Sequence, residues 1–295
     1  MNAWHFHEGD DIAEGLQAVR LLGGGRRYEA YLAWHEHLRA LVVVKIIRPG
    51  LVAETGTLEG LRGEASHLAR LAHPMLLRSF GGRLDGDRPH IVLEVIDGPR
   101  LSTLIRRYGV DLEQLLPLAL NLCAVLHYLA HEGVVHLDVK PANIIMGHEP
   151  RLIDLSIARR RDELAALRTP VGTDAFMAPE QCDPALFSRI GPASDVWGLG
   201  ATLQTALTGR RPFADDGMRF PQLRSAPLPL PDGTPGQVAE IVRACLRRDP
   251  TARPTAAEIA DRLEPIVDAL PAPRLGRFRP TPRRTTRPIH QEVLP

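Results

Sequence analysis

The most constraining stretch of this chain is Val135-His136-Leu137-Asp138-Val139-Lys140-Pro141-Ala142-Asn143, followed a short way on by Leu152-Ile153-Asp154-Leu155-Ser156. Both segments set charged or amide side chains among apolar residues. Flanks of this kind read as strands or tight loops seated on a core, where a buried charge is costly unless it is paired or meets a ligand. The polar groups are therefore expected to project together from a rigid base. Their types fit one chemistry. Phosphoryl transfer needs a carboxylate near the attacking hydroxyl, a cation for the γ-phosphate and oxygen ligands for magnesium. Asp138, Lys140, Asn143 and Asp154 meet that list.

Of the 36 basic residues, 34 are arginine and only Lys45 and Lys140 are lysine. In a chain so biased, a lysine marks a place where arginine's planar fork does not serve. Lys45 lies inside the β-branched run Leu41 to Ile47, where an unpaired ammonium needs an anionic partner. Glu64 could supply it. It belongs to the helix pattern Glu59 to Ala72, with Leu61, Ala65, Leu68, Leu71 and Ala72 on one face and a stop at Pro74. Upstream, Gly23-Gly24-Gly25 joins two strand patterns, Gln17 to Leu22 and Tyr28 to Trp34. Such a turn is either an ordinary hairpin or a loop whose N–H groups approach phosphate oxygens. The lysine and glutamate are likewise either a structural ion pair or a grip on a nucleotide. The residues alone leave both pairs of alternatives open.

His90 to Ile96 reads as a further strand, ending at Asp97-Gly98. From Leu101 onward helical periodicity dominates, through Leu112 to His131, Ser194 to Thr208, Gln237 to Arg247 and Thr255 to Leu270. Strands followed by helices predict an α+β chain of two unequal lobes. A small, mainly antiparallel β lobe with one key helix is expected over residues 16–97, and a larger α-helical lobe over 98–268. Residues 1–15 read as an N-terminal extension with a mobile start. Residues 269–295 read as a disordered tail, because Pro271 to Pro295 holds six arginines and six prolines. That tail is a solvated end or a docking or self-phosphorylation segment, since Thr281, Thr285 and Thr286 lie among arginines.

Composition narrows the class further. A net charge of +1 gives no global electrostatic reason to expect nucleic acid or a membrane surface as partner. The scattered Cys123, Cys182 and Cys245 match neither a zinc-site spacing nor a disulfide framework, which suits a reducing compartment. The acidic, polar start lacks the pattern of a signal peptide, so a cytoplasmic location is expected. The most apolar window, Leu115 to Ala130, contains Pro117, Asn121 and His127 and is shorter than the roughly 20 residues of a membrane span. It reads as a buried helix.

Taken in order over residues 16 to 268, these motifs resemble the eukaryotic-like Ser/Thr protein kinases found in bacteria. The resemblance implies the bilobal protein-kinase-like fold and transfer of the γ-phosphate of ATP to protein hydroxyls, with Mg2+ or Mn2+. Leu22 to Tyr31 looks like the nucleotide-covering loop, Gly23 and Gly25 matching its first two glycines and Tyr28 standing where the third is usual. Leu22, Gly24, Ala30 and Val43 would line the nucleotide beside it. Val43-Val44-Lys45 resembles the strand of the phosphate-gripping lysine, and Glu64 its helix partner. Leu93 falls at the gatekeeper position, with Glu94 and Ile96 offering backbone groups to adenine. Asp138 would orient the substrate hydroxyl and accept its proton. Lys140, the choice of Ser/Thr rather than tyrosine kinases, would steady the γ-phosphate, and Asn143 and Asp154 would hold the metal. The activation segment would run over 154–180, closing at Gly172-Thr173-Asp174-Ala175-Phe176-Met177-Ala178-Pro179-Glu180. Thr173 would contact Asp138 and Lys140. His136, Asp195 and an Arg253–Glu180 pair would be structural. The implied partners are ATP and proteins bearing serine or threonine, with self-phosphorylation at Thr169 or the tail threonines.

Three departures stand out. Leu137 replaces the arginine that in many kinases pairs with a phosphorylated activation loop, so strict dependence on that phosphorylation is not expected. Leu155 and Ser156 stand where Phe and Gly are usual. Leucine can still pack between the lobes, whereas serine is expected to bear more strain than glycine. These changes raise the alternative of a pseudokinase that binds nucleotide or partners without turnover. A small-molecule phosphotransferase of related fold would lack Lys140-Pro141 and Ala178-Pro179-Glu180. His35-Glu36-His37 suits the solvent face of a strand and His5-Phe6-His7 a mobile end, rather than metal ligands. Arg159-Arg160-Arg161 reads as a solvated basic patch or a contact for phosphate or an acidic substrate.

Overall fold

Alternating apolar residues build the small lobe. The computed structural model describes residues 2–187, 190–215 and 217–270; the arginine-rich stretch from 271 onward, with its threonines, lies outside these residues. Strands β1 (Asp11–Ala13), β2 (Leu16–Gly24), β3 (Tyr28–His35), β4 (Ala40–Ile47), β5 (Ser79–Arg83) and β6 (His90–Leu93) form one antiparallel sheet in the order β1-β2-β3-β4-β6-β5. Val42, Val44 and Ile46 of β4 fall on its outer face, in one apolar layer with Ile12, Leu16, Ala18, Tyr31, Ala33 and Val92. By the strand's period of two, Val43 and Lys45 take the opposite face. There helix α1 (Thr55–Arg70) packs Leu61 and Leu68 into the core that also holds Ile91 and Leu93.

The first residues belong to this lobe, a correction to the mobile start expected of them. Trp4 and Phe6 stack at 5.6 Å, Phe6 meets Tyr31 edge-on at 5.3 Å, and Trp4 Nε1 donates to the Ile47 carbonyl at 2.8 Å. Two half-buried rings contribute roughly 1–2 kcal/mol each, enough to order a short segment. Strand β5 had no sequence signal, since Ser-Phe-Gly-Gly-Arg carries two glycines and one apolar side chain.

The large lobe begins with α2 (Leu101–Tyr108) and α3 (Leu112–His131). By length and apolarity α3 would suffice for a membrane span, being longer than the window read from sequence. In the fold it is the central core helix, with Leu115, Leu122 and Leu129 fully buried. Two short pairings frame the cleft floor: β7 (Val134–Val135) with β10 (Arg159–Arg160), and β8 (Ile144–Ile145) with β9 (Arg151–Leu152). The loop 136–143 therefore leaves β7 and returns at β8, and Asp154 emerges just beyond β9. After the short turns α4 (Pro179–Cys182) and α5 (Pro184–Phe187), helix α6 (Pro192–Thr208) runs buried beneath that loop. A Cβ on Gly198 would lie 2.9 Å from Val139 Cβ and O, so only glycine lets the helix approach this closely. Helices α7 (Gly236–Cys245) and α8 (Ala256–Asp268) close the lobe. Thr255 caps α8, taking the Glu258 N–H at 3.2 Å while Glu258 takes that of Thr255 at 2.8 Å.

Candidate active site

Lys45 hangs from the sheet into the cleft. Its Nζ lies 2.5 Å from Glu64 Oε2 on α1 and 2.8 Å from Asp154 Oδ1 beyond β9, so one ammonium ties both lobes. Burial works against the Lys45 charge, but the two carboxylates outweigh it and raise its pKa above the ordinary lysine value. Burial opposes the Asp154 charge as well, yet Lys45 holds that carboxyl well below the usual range. Glu64 is pushed upward by burial, with Lys45 pulling the other way. Lys45 and Asp154 therefore both stay charged throughout the neutral range.

Asp138 stands at the centre of the cleft floor. Thr173 Oγ1 donates to its Oδ1 at 2.7 Å, while Lys140 Nζ at 2.6 Å and Asn143 Nδ2 at 3.0 Å donate to its Oδ2. Lys140 Nζ also reaches Thr173 Oγ1 at 2.5 Å, closing a ring of carboxylate, ammonium and hydroxyl. Leu137 and Asp154 both have positive φ, 67° and 73°, backbone angles uncommon outside glycine that cluster at functional sites. Ser156 has no positive φ and donates its N–H to Asp154 Oδ1 at 3.4 Å. The strain expected of serine there is therefore absent, because the unusual angle falls two residues earlier, on the aspartate. Leu155 packs into the shared core of both lobes.

Buried polar groups fix this geometry from below. Asp195 of α6 accepts the backbone N–H groups of His136 and Leu137, both at 2.8 Å. Its burial pushes the carboxyl up to about 7, against the pull of those two bonds. Glu180 meets Arg253 at 2.7 and 2.9 Å, with both side chains buried. Gln181 had no sequence signal. Its Nε2 donates to the Leu137 and Val171 carbonyls at 2.8 and 2.9 Å, binding the loop to the activation segment. Leu137 itself lies in an apolar cluster with Val135 and Leu164, packed by Ile157, Leu167 and Val171. Of the arginine run, Arg159 and Arg161 donate to the Ala158 and Ala130 carbonyls, and Arg160 faces Asp162 at 3.3 Å.

The roof of the cleft is the β2–β3 hairpin. Gly23 takes φ 150°, Gly25 donates to the Tyr28 carbonyl at 2.9 Å, and Ala30 lies in register with Lys45. Leu22 and Gly24 border the same turn, and Val43 pairs with the buried Leu93. The Glu94 N–H already donates to the Arg78 carbonyl at 3.0 Å, which leaves the Glu94 carbonyl and the backbone of Ile96 for a ligand. On the floor, Asn143 Nδ2 is committed to the Asp138 carbonyl and carboxylate, so its amide oxygen is the atom free to join Asp154 as a hard ligand. Among the described residues no cluster of three His, Cys, Asp or Glu side chains could hold a metal. Two oxygen donors suit an ion that shares its coordination with phosphates and water.

A small antiparallel lobe above a helical one, with charged groups from each facing a common cleft, defines a bilobal α+β fold. The chain belongs to the protein kinase domain family, whose pattern matches residues 16–263. Members of that family use ATP and a divalent metal. The chain is 30% identical to the serine/threonine-protein kinase PknA of Mycobacterium tuberculosis over 282 residues, covering 91% of this chain and 63% of that protein. It is 33% identical to PknK of the same species, over 89% of this chain and 25% of PknK. It is 29% identical to pkn2 of Myxococcus xanthus, over 88% of this chain and 34% of pkn2. The chain thus spans less than two thirds of the length of these relatives.

Proposed function

We propose that this chain transfers the γ-phosphate of ATP to serine or threonine hydroxyls of other proteins, with Mg2+ as the metal. The observation that carries this reading is the ring of Asp138, Lys140 and Thr173 standing opposite Lys45 in one cleft. An acceptor hydroxyl entering beside Asp138 would donate to its carboxylate, which orients the oxygen and takes its proton. Lys140, already between Asp138 and Thr173, would face the transferring phosphoryl group with a point charge. Lys45 would grip the upstream phosphates, and Glu64 would hold Lys45 against recoil. Asn143 and Asp154 would hold the metal, whose charge would offset that building on the phosphates. Glu94 and Ile96 would present backbone groups to adenine, with Leu93 behind them. The relatives PknA and PknK, both serine/threonine-protein kinases by name, support the same class of acceptor.

The test is incorporation of label from γ-labelled ATP with Mg2+ into a generic basic protein. The intact chain should label the acceptor, and Asp138→Asn should slow the reaction by about a thousandfold. Equal labelling by the two would sink the assignment. A run with Mn2+ in place of Mg2+ ranks the metals. Self-phosphorylation at the exposed Thr169, or at the tail threonines, is read in the same reaction by mass spectrometry. We also propose that the small lobe ends near residue 97, between β6 and α2. A reducing, cytoplasmic setting is proposed as well, supported by the free, buried thiols of Cys123, Cys182 and Cys245. Fractionation of cells expressing the chain tests that location.

A further inference from the structure

Tyr28 opens β3 directly after the glycine turn, where a glycine would contribute only backbone. Its side chain instead crosses under the roof to α1. The hydroxyl donates to the Thr57 carbonyl at 2.8 Å, and the Lys45 ammonium lies 4.7 Å from the ring centroid. Helix α1 is shaped to receive it. A Cβ on Gly60 would lie 2.7 Å from Tyr28 Oη and 3.2 Å from the Ser156 carbonyl. Residue 60 is thus the point where the helix meets the roof tyrosine and the backbone beyond Asp154 together. One turn further on the same face stands Glu64, the partner of Lys45. Burial pushes the Tyr28 phenol up to about 12, so it stays a donor across the neutral range.

We propose that Tyr28 is a positioning residue that fastens the glycine-rich turn to α1, so that turn, helix and the Lys45–Glu64 pair take up their working arrangement as one unit. The proposal rests on the kinase reading above. The ring adds a face to the two carboxylates around Lys45, and a cation bounded on three sides keeps one orientation. With glycine at 28, turn and helix would move independently.

The experiment compares the full chain with Tyr28→Phe, Gly60→Ala and the double variant. It records the ATP dependence of phosphate transfer, and amide hydrogen exchange in α1 without nucleotide. Tyr28→Phe is expected to speed exchange around residues 57–64 and to lower kcat/KM for ATP, each by roughly fivefold, the worth of one buried hydrogen bond. Gly60→Ala is expected to lower kcat/KM by about tenfold through overpacking. Adding Tyr28→Phe to Gly60→Ala should bring the loss back to about the fivefold of Tyr28→Phe alone, because the colliding oxygen is gone. Unchanged exchange in Tyr28→Phe, or losses that simply multiply in the double variant, would overturn the proposal. If Gly60→Ala does not fold, the exchange comparison on Tyr28→Phe still decides. Should the unaltered chain fail to transfer phosphate, the kinase reading fails, while the exchange result continues to judge Tyr28.

Discussion

Lys45 is a lysine in an arginine-rich chain because of what surrounds it. A single Nζ reaches Glu64 at 2.5 Å and Asp154 at 2.8 Å, from different lobes, above the Tyr28 ring. A guanidinium is planar and longer, and it would have to part the two carboxylates. Lys45→Arg is therefore expected to lower kcat/KM by roughly a hundredfold, with the unfolding midpoint nearly unchanged; steady-state rates and a thermal melt check both halves. Such residues were legible in the sequence because a charge inside an apolar run stands out against its neighbours. Tyr28 and Gln181 were not. A tyrosine at a strand start and a glutamine beside a turn are ordinary surface residues until the fold brings Thr57 to one, and Leu137 and Val171 to the other. Ser156 misled for a related reason: which residue of a turn takes the positive φ depends on the path beyond β9, which no spacing encodes.

Among the elements, the activation segment has an unusual attachment. Many kinases hold it by a phosphate against an arginine, whereas here Leu137 meets Leu164, Leu167 and Val171 in an apolar cluster. An apolar fastening is present without modification. Thr169→Ala should consequently leave the rate on an external substrate nearly unchanged; a drop beyond roughly tenfold, the worth of one charge-assisted hydrogen bond, would contradict this. Leu164→Ala, which hollows the cluster, should instead destabilise the segment by about 2 kcal/mol, seen as faster hydrogen exchange over 155–172. Restoring arginine with Leu137→Arg would bury an unpaired guanidinium and lower the unfolding midpoint rather than create phosphate control. The long elements carried their own signal: α3 runs over the residues its periodicity indicated, and β2, β3 and β4 lie within two residues of theirs. The strands of two residues that frame the cleft floor are too short for any period to register.

The molecule as a whole should weaken in mild acid. Burial lowers the pKa of His67, His73, His90 and His136 below the ordinary 6.5, so the folded chain holds them neutral where the unfolded chain binds protons. Their stabilisation is present above pH 6.5 and is lost as pH falls through that value. Asp195 acts oppositely, since its folded value near 7 exceeds its unfolded 3.8 and it keeps a proton over the same window. Glu64, also raised by burial, acts in the same sense as Asp195, so four histidines stand against two carboxyls and stability is expected to fall from pH 6.5 toward 5. Melting curves across that range would refute this if the midpoint rose on acidification. The large-lobe core was readable from periodicity, but the covering of the sheet by Trp4 and Phe6 was not, because an aromatic pair in a polar start has no period to display.

Arg253 uses its whole guanidinium. Besides the two oxygens of Glu180, it reaches the carbonyls of Ala193, Arg247 and Arg248 at 2.7 to 3.1 Å. The end of the activation segment is thereby anchored to the turn between α7 and α8. Loss of this one side chain would leave the buried Glu180 carboxylate without its cation and loosen that segment and the far turn together.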